Sequence, residues 1–177
     1  MTKPEDCPVV TIAVKRLENA CDLKNILKGY KRLSYEIFTL EETLKYGESA
    51  DEEDGERIYR QIWQFPGWPT APGPNSAGCD IIDVVTARPW LTKDDLGIRV
   101  WDLRDIPCQN PFRPHKETLD VEGELILRHI QQYKRAPIGN KVEQKRLEKG
   151  MAPVKKNKTV APGLIDSLFE EENKNNG

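Results

Sequence analysis

The sequence predicts an α+β protein: a small antiparallel three-stranded sheet flanked by helices, with an N-terminal extension and a flexible C-terminal tail. Three observations carry this expectation. β-Branched and aromatic residues dominate short runs at 33–46 and 97–103, as half-buried strands require. Apolar residues recur at helical spacing in 58–65 and again over 117–135. Proline- and glycine-rich stretches then separate these segments and forbid regular structure between them. The resulting division is 1–32 as an extension packed on the domain, 33–140 as the domain itself, and 141–177 as a basic linker and amphipathic tail.

In chain order, residues 8–15 (P-V-V-T-I-A-V-K) read as a strand. Residues 22–31 read as a short helix with Leu23, Ile26 and Leu27 on one face, broken by Gly29. Two strands follow, 34–40 and 43–46, around a Glu41–Glu42 turn, and the second is expected to stop at Gly47. Ile58, Ile62 and Phe65 then mark a helix that carries Arg57 and Arg60, with acidic residues before it where a helix N-terminus favours negative charge. Residues 65–78 hold four prolines and three glycines, so they read as an extended surface loop with Trp68 as an anchor. Trp63 and Trp68 suit either base stacking or the core.

Residues 80–88 favour a short helix capped by Ser76 or Asp80 over a buried strand. Residues 97–103 are apolar enough on both faces to lie inside a sheet. A proline-rich connection, 105–114, leads to the longest helix, 117–135. Its broad face runs through Leu119, Glu122, Leu125, Ile126, His129, Ile130 and Tyr133. Pro137 and Gly139 stop this helix, and Asn140 follows. A carboxylate facing a sheet is costly unless paired or bound to a cation, so Glu122 and Glu124 both draw notice; Glu124 on a solvated side would only make the helix more soluble.

With 37% hydrophobic and 32% charged residues, the 177-residue chain suits one domain with polar arms. It has no apolar run of membrane-spanning length and no signal-peptide core near its start, so a cytoplasmic protein without membrane contact is expected. Cys7, Cys21, Cys79 and Cys108 are scattered, and His115 and His129 are the only histidines, which argues for reduced structural thiols over a zinc site. The net charge of −2 conceals a segregation. Residues 36–56 carry nine acids against Lys45, whereas 141–158 carry seven bases against Glu143 and Glu148. Such a basic arm suits phosphate-backbone contact, although most isolated basic runs are only solvated.

Taken together, the pieces resemble the GIY-YIG nuclease family. That family joins a β-hairpin bearing its two name motifs, a helix with a catalytic arginine, a third strand, and a helix with a metal-binding glutamate followed by an asparagine. S-Y-E-I-F is similar to the first motif, with Tyr35 as its tyrosine. L-K-Y-G-E-S is similar to the second in its K-I-G form, with Lys45 in the tyrosine's place and Gly47 as the glycine. E-R-I-Y-R-Q-I offers Arg57, with Arg60 as the alternative, and Gln61 stands where some members carry histidine. V-E-G-E-L-I-L-R-H-I-Q-Q-Y-K-R-A-P-I-G-N resembles the glutamate helix, giving Glu124 (with Glu122 as the alternative) and Asn140. The match spans 33–140. It departs from the pattern in lacking G-I-Y, in the acidic insert before Arg57, and in the long spacing from Glu124 to Asn140.

The resemblance implies a divalent-metal-dependent DNA endonuclease. Glu124 would hold Mg²⁺ (or Mn²⁺), Arg57 would stabilise charge on the phosphate, and Tyr35 with Lys45 would orient or deprotonate the attacking water. Asn140 would position its neighbours, and Tyr35, Arg57 and Glu124 should converge in one groove. Arg60, Lys141, Lys145 and Arg146 would contact the DNA backbone. A second class is a noncatalytic assembly protein, whose docking peptide at 161–173 carries Leu164, Ile165, Leu168 and Phe169 as an amphipathic patch.

Overall fold

A computed structural model describes residues 2–49, 54–69, 81–106 and 116–154. Helices and an antiparallel sheet make an α+β fold, as expected, but the sheet has four strands where three were expected. They are β1 (Val9–Ala13), β2 (Leu33–Phe38), β3 (Thr43–Ser49) and β4 (Gly97–Asp102), in the spatial order β1-β4-β2-β3. The fourth strand is the predicted run near the N-terminus. It pairs with β4 through Val10↔Val100 and Ile12↔Ile98, which extends the apolar row of β4 by one strand. Gly47 does not end β3. The strand continues to Ser49 because Leu33 and Ser34 of β2 remain available as partners for Ser49 and Glu48.

Each face of the sheet buries a separate apolar cluster. On one face, Ile12, Leu33, Tyr35, Ile37, Ile98 and Val100 pack with Leu23, Leu27, Ile58, Ile62 and Phe65. The helical members come from α1 (Ala20–Ile26) with its C-cap, and from α2 (Asp54–Ile62). On the other, Tyr46, Trp101 and Leu103 meet Val121, Leu125, Ile126 and Ile130 of α4 (Lys116–Tyr133). Alternation along β4 explains the split: Ile98 and Val100 enter the first cluster, Trp101 and Leu103 the second. Each fully buried aliphatic side chain contributes about 1.5–3 kcal/mol, so the two clusters set the positions of α2 and α4 on opposite sides of the hairpin.

Local signals account for several boundaries. Asn19 caps α1 by accepting from the Cys21 amide at 2.8 Å, while Asp22 accepts from the Glu18 and Asn19 amides. The expected apolar faces are narrower than the sequence suggested: Ile26, Leu119 and Tyr133 are exposed. Trp68 lies in the core, donating from Nε1 to the Ile62 carbonyl at 3.2 Å, and stacks with Tyr59 and Trp63. The short helix α3 (Ile82–Ala87) forms as predicted, and its proposed caps Ser76 and Asp80 lie outside the described residues.

The basic linker begins as a helix, α5 (Lys141–Glu148). Leu147 and Val154 pack against the second cluster, and Gln144 accepts from the Ala136 amide at 2.9 Å, so this segment is attached to the domain. The remainder of the basic arm, the docking peptide at 161–173 and most of both proline-rich connections lie outside the described residues. Among the described residues Cys7 and Cys21 are free thiols, and no helix is long and apolar enough to cross a membrane.

Candidate functional site

β3 is an edge strand, and the way that edge is finished creates the site. Unpaired edge groups invite further pairing, and here residues 139–140 supply it. The Gly139 amide donates to the Leu44 carbonyl at 2.7 Å. Asn140 Oδ1 accepts from the Tyr46 amide at 2.9 Å, and its Nδ2 donates to the Tyr46 carbonyl at 3.0 Å. A Cβ at position 139 would lie 2.8 Å from both the Leu44 carbonyl oxygen and Lys45 Cβ, so only glycine permits this approach. The side chain of Asn140 is thereby committed to holding β3.

Tyr35 and Gly47 are directly paired across the hairpin. With no side chain in the way, the buried Tyr35 ring passes over Gly47; a Cβ there would sit 2.4 Å from its Cζ and 2.5 Å from its hydroxyl oxygen. Gln61 of α2 donates from Nε2 to that hydroxyl at 2.5 Å. Arg57, one helical turn earlier, comes within 3.9 Å of Glu48 Oε1. Glu48 projects to the opposite face, where Thr118 Oγ1 donates to its Oε2 at 3.2 Å and Ser34 Oγ donates to the Thr118 carbonyl at 2.7 Å. These bonds dock the first turn of α4 on the hairpin, and Glu122 stands one turn further along. α2 on one face and α4 on the other therefore deliver their polar groups to the same sheet edge.

The electrostatics follow from that meeting. Burial raises the pKa of Tyr35; Arg57 and the Gln61 hydrogen bond oppose it, while Glu122 and Glu48 push it further up. Burial outweighs the Arg57 charge, so the phenol stays neutral and can donate a hydrogen bond. Burial also pushes Glu122 up to about 8, reinforced by the charges of Glu48 and Glu143 and opposed by Lys45 and Arg57. A carboxyl raised in the folded state binds its proton between its unfolded value of 4.5 and about 8. Its contribution to stability is full below pH 4.5 and lost as pH rises toward 8. Glu122→Gln, which stays neutral, should accordingly exceed the parent in stability by about 4 kcal/mol at pH 8.5, and by less than about 1 kcal/mol at pH 5. Urea unfolding in the presence of a chelator measures this; an equal gain at both pH values would exclude ionised burial as the cause.

The sequence-derived residues divide into two groups. Tyr35, Lys45 and Arg57 gather with Glu122, and Asn140 braces the strand between them. Arg60 instead turns away to Glu56, an i,i+4 pair at 2.8 Å. Glu124 does not join the groove: it binds Arg128 Nε at 2.9 Å, and Arg128 also pairs with Glu5 near the N-terminus. At about 100° per helical residue, Glu124 is rotated some 200° from Glu122. The convergence expected for Tyr35, Arg57 and Glu124 therefore takes place with Glu122. Lys141 pairs with Asp83, Arg146 Nε donates to the Ala152 carbonyl at 2.7 Å, and the Lys145 side chain is exposed. Glu48, Thr118 and Glu143 were not singled out from the sequence; a strand read through Gly47 would have brought Glu48 to the edge.

The donor set is oxygen-rich, with the charges of Glu48, Lys45 and Arg57 all felt at Glu122. That chemistry fits a hard divalent ion held by one or two carboxylates and water. Among the described residues, no group of three or more His, Cys, Asp or Glu side chains forms a fuller metal cage. Comparison of the chain with protein families, with curated proteins and with solved structures finds no match.

Proposed function

We propose that the protein is a divalent-metal-dependent DNA endonuclease of the GIY-YIG type. The observation that carries this reading is the meeting of Tyr35, Arg57 and Glu122 at one sheet edge, contributed by the hairpin, α2 and α4. The order of hairpin, arginine helix, central strand and glutamate helix also supports it.

Glu122 takes the metal-binding role that the sequence had assigned to Glu124. It would hold Mg²⁺ or Mn²⁺, which would supply Lewis-acid stabilisation of charge on the scissile phosphate. Arg57 is partly exposed and separated from Glu48 by 3.9 Å, which leaves its guanidinium able to turn onto the phosphoryl oxygens. Tyr35 acts as a donor: Gln61 occupies its oxygen as an acceptor, so the phenolic proton can orient water or a phosphate oxygen. Lys45, buried and close enough to oppose the shift of Glu122, adds fixed positive charge. Lys145, exposed on α5, offers a backbone contact without sequence readout.

The test is conversion of supercoiled plasmid, and cutting of single-stranded DNA, by the purified full chain with Mg²⁺ or Mn²⁺. Arg57→Ala should slow cleavage by about a hundredfold, and Tyr35→Phe should slow it while leaving the fold intact. DNA left whole under both metals would remove the nuclease reading in favour of an assembly protein.

A further inference from the structure

A second feature lies beyond this site, on the far side of α5. A cleft of about 530 Å³ opens between the hairpin turn at Glu42–Thr43, the end of α4 and α5. Its size falls in the range of small-ligand pockets. Tyr133 is 55% exposed there and stacks on the buried His129, with ring centroids 4.6 Å apart. His129 in turn meets Tyr46 edge-on at 6.1 Å, so the platform is braced from the sheet outward. Lys134 adopts a left-handed conformation (φ 59°) that ends α4 and carries Arg135 to the cleft wall.

The charges around this platform are not equally available. Arg88 is held by both carboxylate oxygens of Glu42, at 2.6 and 3.2 Å, and Lys141 is paired with Asp83. Arg135 and Lys145 form no salt bridge with the described residues, although Glu41 and Glu148 also line the cleft, Glu148 accepting from Gln144 Nε2 at 2.9 Å. An exposed aromatic face beside two cations outside any salt bridge suits a planar ring joined to an anion. Stacking recognises any base, and the cations recognise its phosphate.

We infer that this cleft binds a nucleotide, with the base on Tyr133 and the phosphate between Arg135 and Lys145. This rests on the DNA-cleaving reading in one respect: the nucleotide is taken to belong to the substrate strand. Thr43 at the cleft and Glu48 at the site are five residues apart on β3, roughly 17 Å along the strand. The cleft would therefore grip single-stranded DNA away from the scissile bond.

The test measures anisotropy of a fluorescein-labelled oligo(dT) on full-length Glu122→Gln protein in EDTA, which separates binding from cleavage. Tyr133→Ala should weaken binding about tenfold and Tyr133→Phe should leave it near the parent's. Arg135→Ala should weaken it several-fold and flatten its salt dependence. Competition by free dTMP would identify a single nucleotide as sufficient; Tyr133-dependent binding without such competition would identify the strand as the ligand. Binding unchanged in Tyr133→Ala, or weakened equally in Tyr133→Phe, would overturn the cleft assignment even if the protein cuts DNA. Tyr133-dependent binding by a protein that cuts no DNA would sustain the cleft while removing the nuclease reading.

Discussion

Glu122→Gln should reduce metal-dependent cleavage by a hundredfold or more, a loss of about 3 kcal/mol or above in transition-state stabilisation. Glu124→Gln should leave the rate within about threefold, because it breaks only a half-buried i,i+4 pair with Arg128 that is worth roughly 0.5 kcal/mol. The contrast follows from where each carboxylate lies. Glu122 is raised to about 8 by burial and by Glu48, and its charge is felt at Tyr35, whereas Glu124 is paired with Arg128. Glutamine keeps the size and removes the charge, so a fall in rate cannot be ascribed to a cavity. Initial rates in Mn²⁺ should be paired with direct titration of Mn²⁺ binding, followed by the metal's electron spin resonance. Weaker binding in Glu122→Gln and parent-like binding in Glu124→Gln is the expected pattern. Equal losses in the two variants would remove Glu122 from the metal-binding role.

That pair also marks where sequence reasoning reached its limit. Periodicity placed the long helix within two residues at either end, and the alternation over 97–103 identified a strand buried on both faces, because burial patterns repeat with the backbone. The phase of a helix is less legible. Glu122 and Glu124 differ by two positions, and only the docking of Thr118 on Glu48 and Ser34 fixes which one meets the hairpin. Asn140 was visible as a residue following a helix, yet its partner Tyr46 is 94 residues away in the chain, beyond any local signal. Likewise Tyr35 was found, but its complete burial was not. A neighbouring cation can be read from sequence, whereas complete burial depends on α2 closing over the hairpin.

Gly47→Ala is expected to destabilise the protein by about 1–3 kcal/mol, the usual range for overpacking a filled core, and to impair cleavage beyond what the stability loss explains. The added methyl would lie 2.4 Å from Tyr35 Cζ and 2.5 Å from its hydroxyl oxygen, distances no real Cβ adopts. Backbone preference works the other way, since alanine is favoured over glycine in a strand interior by roughly 0.5–1 kcal/mol. Any net loss therefore measures the steric conflict. Tyr35 has nowhere to yield: it is fully buried in the first cluster and its hydroxyl is tied to Gln61. Moving the ring costs that bond and withdraws the phenol from the edge where Arg57 and Glu122 meet. A double-mutant cycle isolates the effect. In a Tyr35→Leu background, where no ring crosses the strand, Gly47→Ala should cost less than about 0.5 kcal/mol in chemical unfolding. An undiminished cost there would mean that Gly47 serves the backbone of β3 and not the passage of Tyr35. If the cost disappears, the glycine is there to let a core tyrosine reach the sheet edge, and a residue that looks like a break in the strand is what opens the site.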